Sequence, residues 1–367
     1  MAIHWVEQSV KNSDKKYEIS YCIANDGDWI TAKISNRHFG DTKSKVYSAD
    51  LKNLKANTKY AFKISSGKNL GKWFFKTAPL KIENEITFVT GGDMYHTREL
   101  LDPMNLRAGT ESPMFALLGG DLAYANGVDS NKWYDWIDSW AQLAKTPEGL
   151  VVPMVVVIGN HEVRGAAYRP NNAPPRSEAP YFYSLFYGLE EGSKFAIDFS
   201  NYMTIVALDS GHTDNVANQI QWLEKTLKDR SSFPFKFVCY HRPAWGTGVK
   251  EDAVDIQRLW SPVFEKHGVH AAFENDHHVY KRTYPLVAGK RDDQNGVIYI
   301  GDGSWGVRTR KIASDWREKR PFLAYAESNN HLIKVRLKKE ELVFEGIKAD
   351  GTIFDKYSKK IPSHPKE

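Results

Sequence analysis

The chain has 367 residues, which is long enough for two domains. Charged residues make up 26% of it, aromatic residues make up 13%, and the net charge is only +5. This charge is far from the dense basic surface that nucleic-acid binding requires, and no apolar run is long enough to span a membrane. We therefore expect small anionic ligands, with no nucleic-acid partner and no membrane span.

The two cysteines and the N-terminus bear on the compartment. Cys22 and Cys239 each lie in an apolar, strand-like segment, so we predict two buried free thiols rather than a disulfide. The first residues lack the charged region and apolar stretch of a signal peptide. Because the chain begins inside an apparent strand, we expect an export signal upstream of it and a secreted or periplasmic location.

Residues 1 to 80 have an all-β pattern. Segments 17–24, 29–34 and 60–64 are rich in β-branched and aromatic residues, with Asn, Asp and Gly between them. Residues 51–79 resemble the later strands of a fibronectin type III sandwich, with Leu51, Leu54, Thr58 and Tyr60 at the corner before a core strand. The resemblance implies a supporting domain over residues 1–80, with a short or missing first strand.

The pattern changes to α/β from about residue 83. Six apolar runs each end in polar residues or glycines, at 86–89, 114–118, 151–158, 202–208, 235–240 and 269–273. Helix-like stretches at 132–143, 218–229 and 252–267 separate several of them, which predicts a largely parallel sheet. Residues 331–357 alternate like antiparallel strands and predict a second sheet. We assign residues 81–367 to this second domain.

The ends of the predicted strands carry many potential metal ligands. Carboxylate, phenol and imidazole groups together suit Fe, Mn or Zn, and there are more of them than one ion needs. Two ions are therefore predicted, with Asp121 at the central strand end as the bridge. The candidate donors are Asp93, Asp121, Tyr124, Asn160, His161, His241, Asp276, His277 and His278.

Five short blocks around these donors resemble a known signature. The blocks GGD (91–93), GGDLAY (119–124), GNHE (159–162), YHRP (240–243) and NDHHVYKR (275–282) resemble those of calcineurin-like metallophosphoesterases. The tyrosine three residues after the second aspartate resembles the pattern found in the purple acid phosphatase branch of these enzymes. The resemblance covers essentially the whole chain. It implies a mixed α/β (α+β) fold, a four-layer αββα sandwich that follows the fibronectin type III-like sandwich.

The resemblance also implies an activity and a set of ligands. The activity is hydrolysis of phosphate monoesters of small molecules by attack of a metal-bound hydroxide. A tyrosine gives up its proton readily only to a strongly acidic ion, which favours Fe(III) beside Tyr124. The second ion would be divalent Fe, Zn or Mn. The implied ligands are Asp93, Tyr124 and His278 for Fe(III), Asn160 and His241 for the second ion, and Asp121 for both.

The last block departs from the family pattern. Tyr280 and Arg282 fix its register, so Asp276 stands where the family has its first histidine. We predict that Asp276 binds the second ion, where its negative charge would lower the Lewis acidity of that ion. His277 is the alternative ligand, although neighbours on an extended segment point to opposite sides.

The remaining polar residues of the blocks suggest catalytic and substrate-binding groups. His161, beside Asn160, is predicted to hydrogen-bond a phosphoryl oxygen or to protonate the leaving alkoxide, with a purely structural function as the alternative. Arg164 and Arg242, together with Tyr95 and His96, are candidates for the anion pocket. Unlike acid phosphatases of this branch, the chain has no further histidine in the stretch RPAWGTGVKED after His241, so the proton donor and the acid optimum stay open.

Two other functions compete with a monoesterase. A phosphodiesterase or nucleotide hydrolase would use the same two-metal core, and the loop at 166–180 would decide between them. A non-catalytic binding protein would follow if Asp276 prevented metal binding at the second site, and it would hold one ion.

Three tryptophans, Trp133, Trp136 and Trp140, recur at near-helical spacing, which predicts packing in the core or at a subunit interface. The oligomeric state stays open.

Overall fold

The computed structural model describes residues 1–8, 16–25, 27–166, 168–169 and 171–361. Its N-terminal part consists of two antiparallel sheets with strand orders β1-β5-β4 and β3-β2-β6-β7. The strands are β1 (Ala2–Glu7), β2 (Glu18–Ile23), β3 (Ile30–Ala32), β4 (Ile34–His38), β5 (Lys45–Asp50), β6 (Lys59–Ser65) and β7 (Asn69–Lys76).

The two N-terminal sheets pack face to face as a sandwich. Ile19, Phe62 and Phe75 are buried between them. The Tyr60 hydroxyl accepts a hydrogen bond from the Lys55 backbone N–H at 2.9 Å, the kind of tether seen at the tyrosine corner of fibronectin-like sandwiches. The predicted all-β region is therefore confirmed. The predicted division after residue 80 falls between β7 and the next strand, and it stays a prediction.

The rest of the chain contains fifteen strands and seven α-helices in its described residues. The strands are β8 (Ile86–Gly91), β9 (Ala116–Leu118), β10 (Met154–Val156), β11 (Phe195–Phe199), β12 (Met203–Ala207), β13 (Phe235–Cys239), β14 (Ala271–Glu274), β15 (Tyr280–Thr283), β16 (Leu286–Val287), β17 (Lys290–Arg291), β18 (Ile298–Gly301), β19 (Leu323–Glu327), β20 (Leu332–Lys338), β21 (Glu341–Ile347) and β22 (Ile353–Lys360). The helices are α1 (Arg98–Thr110), α2 (Ser130–Leu143), α3 (Pro180–Leu185), α4 (Ile220–Lys228), α5 (Val254–Leu259), α6 (Ser261–Lys266) and α7 (Trp316–Lys319). Short 3-10 helices lie at Asn160–Glu162, Arg164–Ala166, Arg176–Glu178 and Val216–Gln219.

These strands form two large sheets that face each other. One sheet has the order β10-β9-β8-β20-β21-β22 and the other β11-β12-β13-β14-β18-β15-β19. Phe88 of the first sheet packs between Phe237 and Phe273 of the second, with ring centroids 5.5 and 5.9 Å away. Helices α1 and α2 cover the outer face of the first sheet, and α4, α5 and α6 cover that of the second. The predicted four-layer αββα sandwich is confirmed.

The direction of the strands agrees with the sequence, but their distribution over the two sheets does not. Strands β8, β9 and β10 are parallel, as are β12, β13, β14 and β18. Strands β20, β21 and β22, from the alternating tail, are antiparallel and extend the first sheet. The antiparallel pairing predicted for the tail is confirmed, but the tail extends the sheet of β8, β9 and β10 instead of forming a separate one. The apolar runs expected in one largely parallel sheet are divided between the two sheets.

The helix predictions are mostly confirmed. Stretches 132–143 and 218–229 correspond to α2 and α4, and stretch 252–267 contains both α5 and α6. This last stretch is divided because Pro262, in the first turn of α6, has no N–H to continue the hydrogen bonding of α5. Helix α1 was not predicted, because Pro103 inside it argues against a helix.

Two further predictions concern buried residues. Trp133, Trp136 and Trp140 are at most 6% exposed and lie in the core beneath α2, which confirms their packing role. Cys22 and Cys239 are buried free thiols, as predicted. Within the described residues, we find no helix with the length and apolar character needed to cross a membrane.

Candidate metal centre

The loops that follow four of the strands converge at one edge of the two sheets. The parallel strands present their carboxyl ends there, which is where ligand sites of such sheets form. Asp93 follows β8, Asp121 follows β9, His241 follows β13 and Asp276 follows β14. One potential ligand atom from each of these four residues lies within 4.8 Å of all the others. The structure thus assembles donors that are far apart in sequence.

One end of the cluster contains a tyrosine, a carboxylate and an imidazole. The Tyr124 hydroxyl donates to Asp93 Oδ1 at 2.9 Å and lies 2.8 Å from His278 Nε2. His278 Nε2 is also 3.1 Å from Asp93 Oδ1, and its Nδ1 lies 3.3 Å from the Arg308 carbonyl oxygen. These three predicted ligands of the first ion therefore meet at one point.

The other end is arranged around His241. Its Nε2 lies 3.2 Å from Asp121 Oδ2, 3.2 Å from Asn160 Oδ1 and 3.8 Å from Asp276 Oδ1. Its Nδ1 donates to the Gly119 carbonyl oxygen at 2.9 Å, so Nε2 is the nitrogen left to bind a metal ion, which would replace a proton there. The predicted ligands of the second ion are thus also neighbours.

Asp121 lies between the two ends and has an unsatisfied oxygen. Its Oδ1 accepts the His161 backbone N–H at 2.7 Å, whereas its buried Oδ2, although 3.2 Å from His241 Nε2, accepts no hydrogen bond of good geometry among the described residues. Burial opposes a charge on His241, but the carboxylates of Asp121 and Asp93 outweigh it and raise the pKa of His241 to about 10. A buried carboxylate oxygen without a donor, in surroundings this negative, fits a bound cation. The donor set fits metal ions and is large enough for two.

Residues 67–280, more than half of the chain, match the family model of the calcineurin-like phosphoesterases. The chain belongs to this family. It is 25% identical over 329 residues to a phosphoenolpyruvate phosphatase of Allium cepa, and this match covers 81% of the chain and 65% of the relative. It is 24% identical over 327 residues to an Fe(3+)-Zn(2+) purple acid phosphatase of Arabidopsis thaliana, over 80% of the chain and 66% of the relative. The chain thus spans slightly less than two thirds of these relatives.

Solved structures agree with the phosphoesterase fold. A purple acid phosphatase from seeds of yellow lupin (Lupinus luteus) superposes with a TM-score of 0.73 at 19% identity, over 98% of this chain and 72% of that chain. A protein named PhoD superposes with a TM-score of 0.68 at 12% identity, over 95% and 85% of the respective chains. The resemblance to purple acid phosphatases is therefore confirmed at the level of fold and family.

The phosphoesterase loops hold the candidate ligands in an uncommon backbone conformation. Asp93, Asp121, Tyr124, Asp276 and His278 have φ angles between 52° and 76°. Residues with a side chain adopt this left-handed region at a cost of about 1–3 kcal/mol each, and they do so mainly at functional sites. The surrounding fold therefore maintains these five positions against their local preference.

Glu162 supports this arrangement, although it was not among the predicted site residues. Its fully buried carboxylate accepts the backbone N–H groups of Asp121 (2.8 Å), Leu122 (2.8 Å) and Gly159 (2.7 Å). Burial and the nearby Asp121 charge raise the pKa of Glu162, and the three N–H groups oppose that rise. Glu162 thereby ties the loop after β9 to the loop after β10.

Two glycines leave room for the central carboxylates. A Cβ at Gly303 would lie 1.8 Å from Asp93 Oδ2, and one at Gly159 would lie 2.3 Å from Asp121 Oδ1. No side chain fits at such distances. The segment IYIGDG (298–303), which ends in Gly303, therefore contributes space to the centre.

His161 lies at the open side of the centre. Its side chain is 26% exposed, and its ring stacks on Tyr124 with centroids 4.1 Å apart. Its Nδ1 is hydrogen-bonded to Asn126 Oδ1, and its Nε2 lies 3.8 Å from Asp121 Oδ2. Burial lowers the pKa of His161. The ring thus faces the place where a substrate would approach the metal ions.

The two predicted anion-binding arginines are held by other partners. Arg164 donates to Asp41 of the N-terminal sandwich at 3.0 Å. Arg242 stacks on Tyr168, with its Cζ 3.5 Å from the ring centroid, and donates to the Ser210 carbonyl oxygen at 3.1 Å. The structure does not bring either guanidinium group into the ligand cluster, and their binding of substrate stays a prediction.

The other histidines near the centre differ in placement. His96 packs edge-on against Tyr124, with centroids 4.7 Å apart, whereas the hydroxyl of neighbouring Tyr95 turns to Asp135. His277 is fully buried, and its Nδ1 lies 3.4 Å from Asp302 Oδ2. This placement favours Asp276 over His277 as a ligand, in line with the opposite directions expected of neighbouring side chains.

Proposed function

We propose that this phosphoesterase is a dinuclear-metal phosphatase that hydrolyses monoesters of small phosphorylated molecules. The observation that carries the proposal is the cluster of Asp93, Asp121, His241 and Asp276 at the meeting edge of the two sheets. Relatives named phosphoenolpyruvate phosphatase and purple acid phosphatase support it. When bound, two metal ions would offset negative charge on the phosphoryl group and lower the pKa of a water molecule.

We propose Fe(III) as the first ion, held by Asp93, Tyr124 and His278. Burial and the carboxylates of Asp93 and Asp121 raise the pKa of Tyr124 well above its usual value. Only a strongly acidic cation takes the proton from such a phenol. A relative named for an Fe(3+)-Zn(2+) pair supports this choice.

We propose a divalent Fe, Zn or Mn ion as the second one. Asn160, His241 and Asp276 would hold it, and Asp121 would be a ligand of both ions. The buried Oδ2 of Asp121 and Nε2 of His241, which lie 3.2 Å apart, supply the supporting geometry. The backbone N–H of His161 keeps Asp121 Oδ1 in position at 2.7 Å.

His161 would protonate the leaving oxygen. Its partly exposed, stacked ring is held in place by Asn126, close to Asp121 but outside the buried cluster. A bound phosphoryl anion would favour the imidazolium form of His161 against the effect of burial, and Nε2–H of that form would donate to the departing alkoxide.

Two further parts of the proposal concern the whole protein. Residues 1–80 would form a supporting domain, and the protein would be secreted or periplasmic.

The direct test compares p-nitrophenyl phosphate with bis(p-nitrophenyl) phosphate on protein reconstituted with iron and zinc. We expect hydrolysis of the monoester at a higher kcat/KM than the diester. The Asp121→Asn variant should lose at least about a hundredfold, because one bridging charge is gone. Faster hydrolysis of the diester would replace the monoesterase by a phosphodiesterase. No hydrolysis of either ester would favour a binding protein.

A further inference from the structure

Lys250 extends to the candidate metal centre from the loop between β13 and α5. Its ammonium group forms an ion pair with Asp276 Oδ1, the oxygen that lies 3.8 Å from His241 Nε2. The Lys250 side chain is 36% exposed, whereas that of Asp276 is 14% exposed. The ammonium group therefore lies between a largely buried candidate ligand and solvent.

The loop that carries Lys250 is braced at both ends. The Ala253 N–H donates to the Pro243 carbonyl oxygen at 2.9 Å, and the Gly246 N–H donates to Asp252 Oδ1 at 3.1 Å. Asp252 also forms an ion pair with Arg320. The position of Lys250 beside the centre is thus supported by contacts that do not involve the lysine itself.

The charges of Lys250 and Asp276 balance each other. The family pattern has a neutral histidine at the position of Asp276, so this chain carries one additional negative charge at the second ion. Lys250 lies in the stretch after His241 where the expected histidines are missing, and it adds one positive charge at contact distance. The pair therefore leaves the net charge of the centre unchanged. It places the positive charge of Lys250 on the solvent side of Asp276.

We propose, resting on the function proposed above, that Lys250 binds the phosphoryl group of the substrate and favours monoesters over diesters. When a metal ion takes Asp276 as a ligand, the ammonium group loses its partner and is free to bind a phosphoryl oxygen. A monoester has a terminal phosphoryl group with up to two negative charges, and a diester has one. A nearby ammonium group therefore gains more from the monoester.

The test uses Lys250→Met and Lys250→Gln, which remove the charge, and Lys250→Arg, which keeps it. Lys339→Met is the matched control, since Lys339 lies in the exposed turn between β20 and β21. Three quantities are measured on metal-loaded protein: metal content, affinity for inorganic phosphate by calorimetry, and the ratio of kcat/KM for monoester and diester.

We expect the two neutral variants to retain two metals per chain, because Lys250 competes with the metal for Asp276. Their dissociation constants for phosphate should rise about tenfold, as for the loss of one charge-assisted hydrogen bond. The monoester-to-diester ratio should fall by a similar factor. Lys250→Arg should preserve most of the wild-type behaviour, and Lys339→Met should preserve all of it.

Two results would overturn the inference about Lys250 and leave the proposed phosphatase function intact. One is unchanged phosphate affinity and substrate ratio in Lys250→Met and Lys250→Gln with both metals bound. The other is loss of the second metal in these variants, which would make Lys250 a structural partner of Asp276. A wild-type protein that binds fewer than two metals and hydrolyses neither ester would overturn the inference together with the proposed function.

Discussion

His161 is the residue whose chemical function in the proposed reaction is most open to a direct test. If it protonates the leaving oxygen, its loss matters most for substrates with a poor leaving group. We expect His161→Asn to lower kcat about a hundredfold or more for an alkyl phosphate, and much less for p-nitrophenyl phosphate. Metal content of the variant serves as the control. Equal losses of kcat with both substrates would show that His161 has only a binding or structural function.

A second residue, His331, should make stability depend on pH. It is fully buried, and its Nδ1 lies 3.2 Å from the Asn329 carbonyl oxygen. Burial lowers the pKa of His331 to about 4, below its value in the unfolded chain. Between about pH 6.5 and 4 the unfolded state therefore binds the extra proton, so the free energy of unfolding falls as the pH falls.

For the metal-free protein, this histidine should account for about 2 kcal/mol of the stability lost between pH 7 and pH 5. Urea unfolding at the two pH values, for the wild type and His331→Gln, isolates that contribution. The variant should lose correspondingly less stability on acidification. An identical pH dependence of the two proteins would show that His331 titrates normally in the folded state.

The sequence did not reveal which side chains of the centre contact each other. The ligand candidates were predictable because they lie in loops that follow apolar runs. Parallel strands present their carboxyl ends, and therefore these loops, at one edge of a sheet. Glu162 and Lys250 were not singled out, because Asp121 lies 41 positions from Glu162 and Asp276 lies 26 positions from Lys250. A carboxylate or an ammonium group in a loop is ordinarily solvated, and the sequence gives no sign of the group that it will meet.

Among structural elements, the turn after β18 leaves room for the Asp93 carboxylate because Gly303 has no side chain. Gly303 has a φ of 62°, and a Cβ there would lie 1.8 Å from Asp93 Oδ2. We expect Gly303→Ala to displace Asp93 and to release at least half of the iron, measured by elemental analysis. Gly149→Ala is the control, because Gly149 has a φ of 76° with open space around it.

The control should cost about 1–2 kcal/mol of stability through its backbone alone and leave the metal content intact. Iron content unchanged in Gly303→Ala, or reduced equally in both variants, would contradict the placement of Asp93 as a ligand. Comparing the two alanines separates the strain of a left-handed backbone from the steric effect at the centre.

The elements themselves were predictable in proportion to how strongly the local sequence indicates them. Buried parallel strands and the alternating tail have clear patterns, so the strands and their directions were expected. Their division over two sheets was not, because periodicity does not show which strands are neighbours. Helix α1 was missed because Pro103 lies inside it, and its packing against α2 overrides this unfavourable residue. The division between α5 and α6 likewise follows from Pro262, whose effect on an otherwise helical stretch depends on its position in the turn.

For the whole molecule, the N-terminal sandwich is fastened to the phosphoesterase part. Phe39, in the loop after β4, is fully buried and packs against Tyr181 and Tyr134, with ring centroids 5.1 and 5.5 Å away. Asp41 in the same loop pairs with Arg164 beside the centre. The sandwich therefore supports a loop of the active-site region.

We expect Phe39→Ala to lower the free energy of unfolding by about 3–5 kcal/mol, because it leaves a cavity between the two parts. Ile30→Ala, at a position 55% exposed on the sandwich, should cost far less. Urea unfolding followed by tryptophan fluorescence provides the comparison. Similar small losses in both variants would show that the two parts are not coupled in stability.

The visible absorption spectrum of the purified protein, recorded with its metal content, tests the central claim most directly. We predict a broad charge-transfer band and two metal ions per chain, one of them iron, with loss of the band in Tyr124→Phe. A colourless protein with two other ions would refute Fe(III) beside Tyr124 but keep the phosphatase. One ion or none after reconstitution would contradict the dinuclear centre itself.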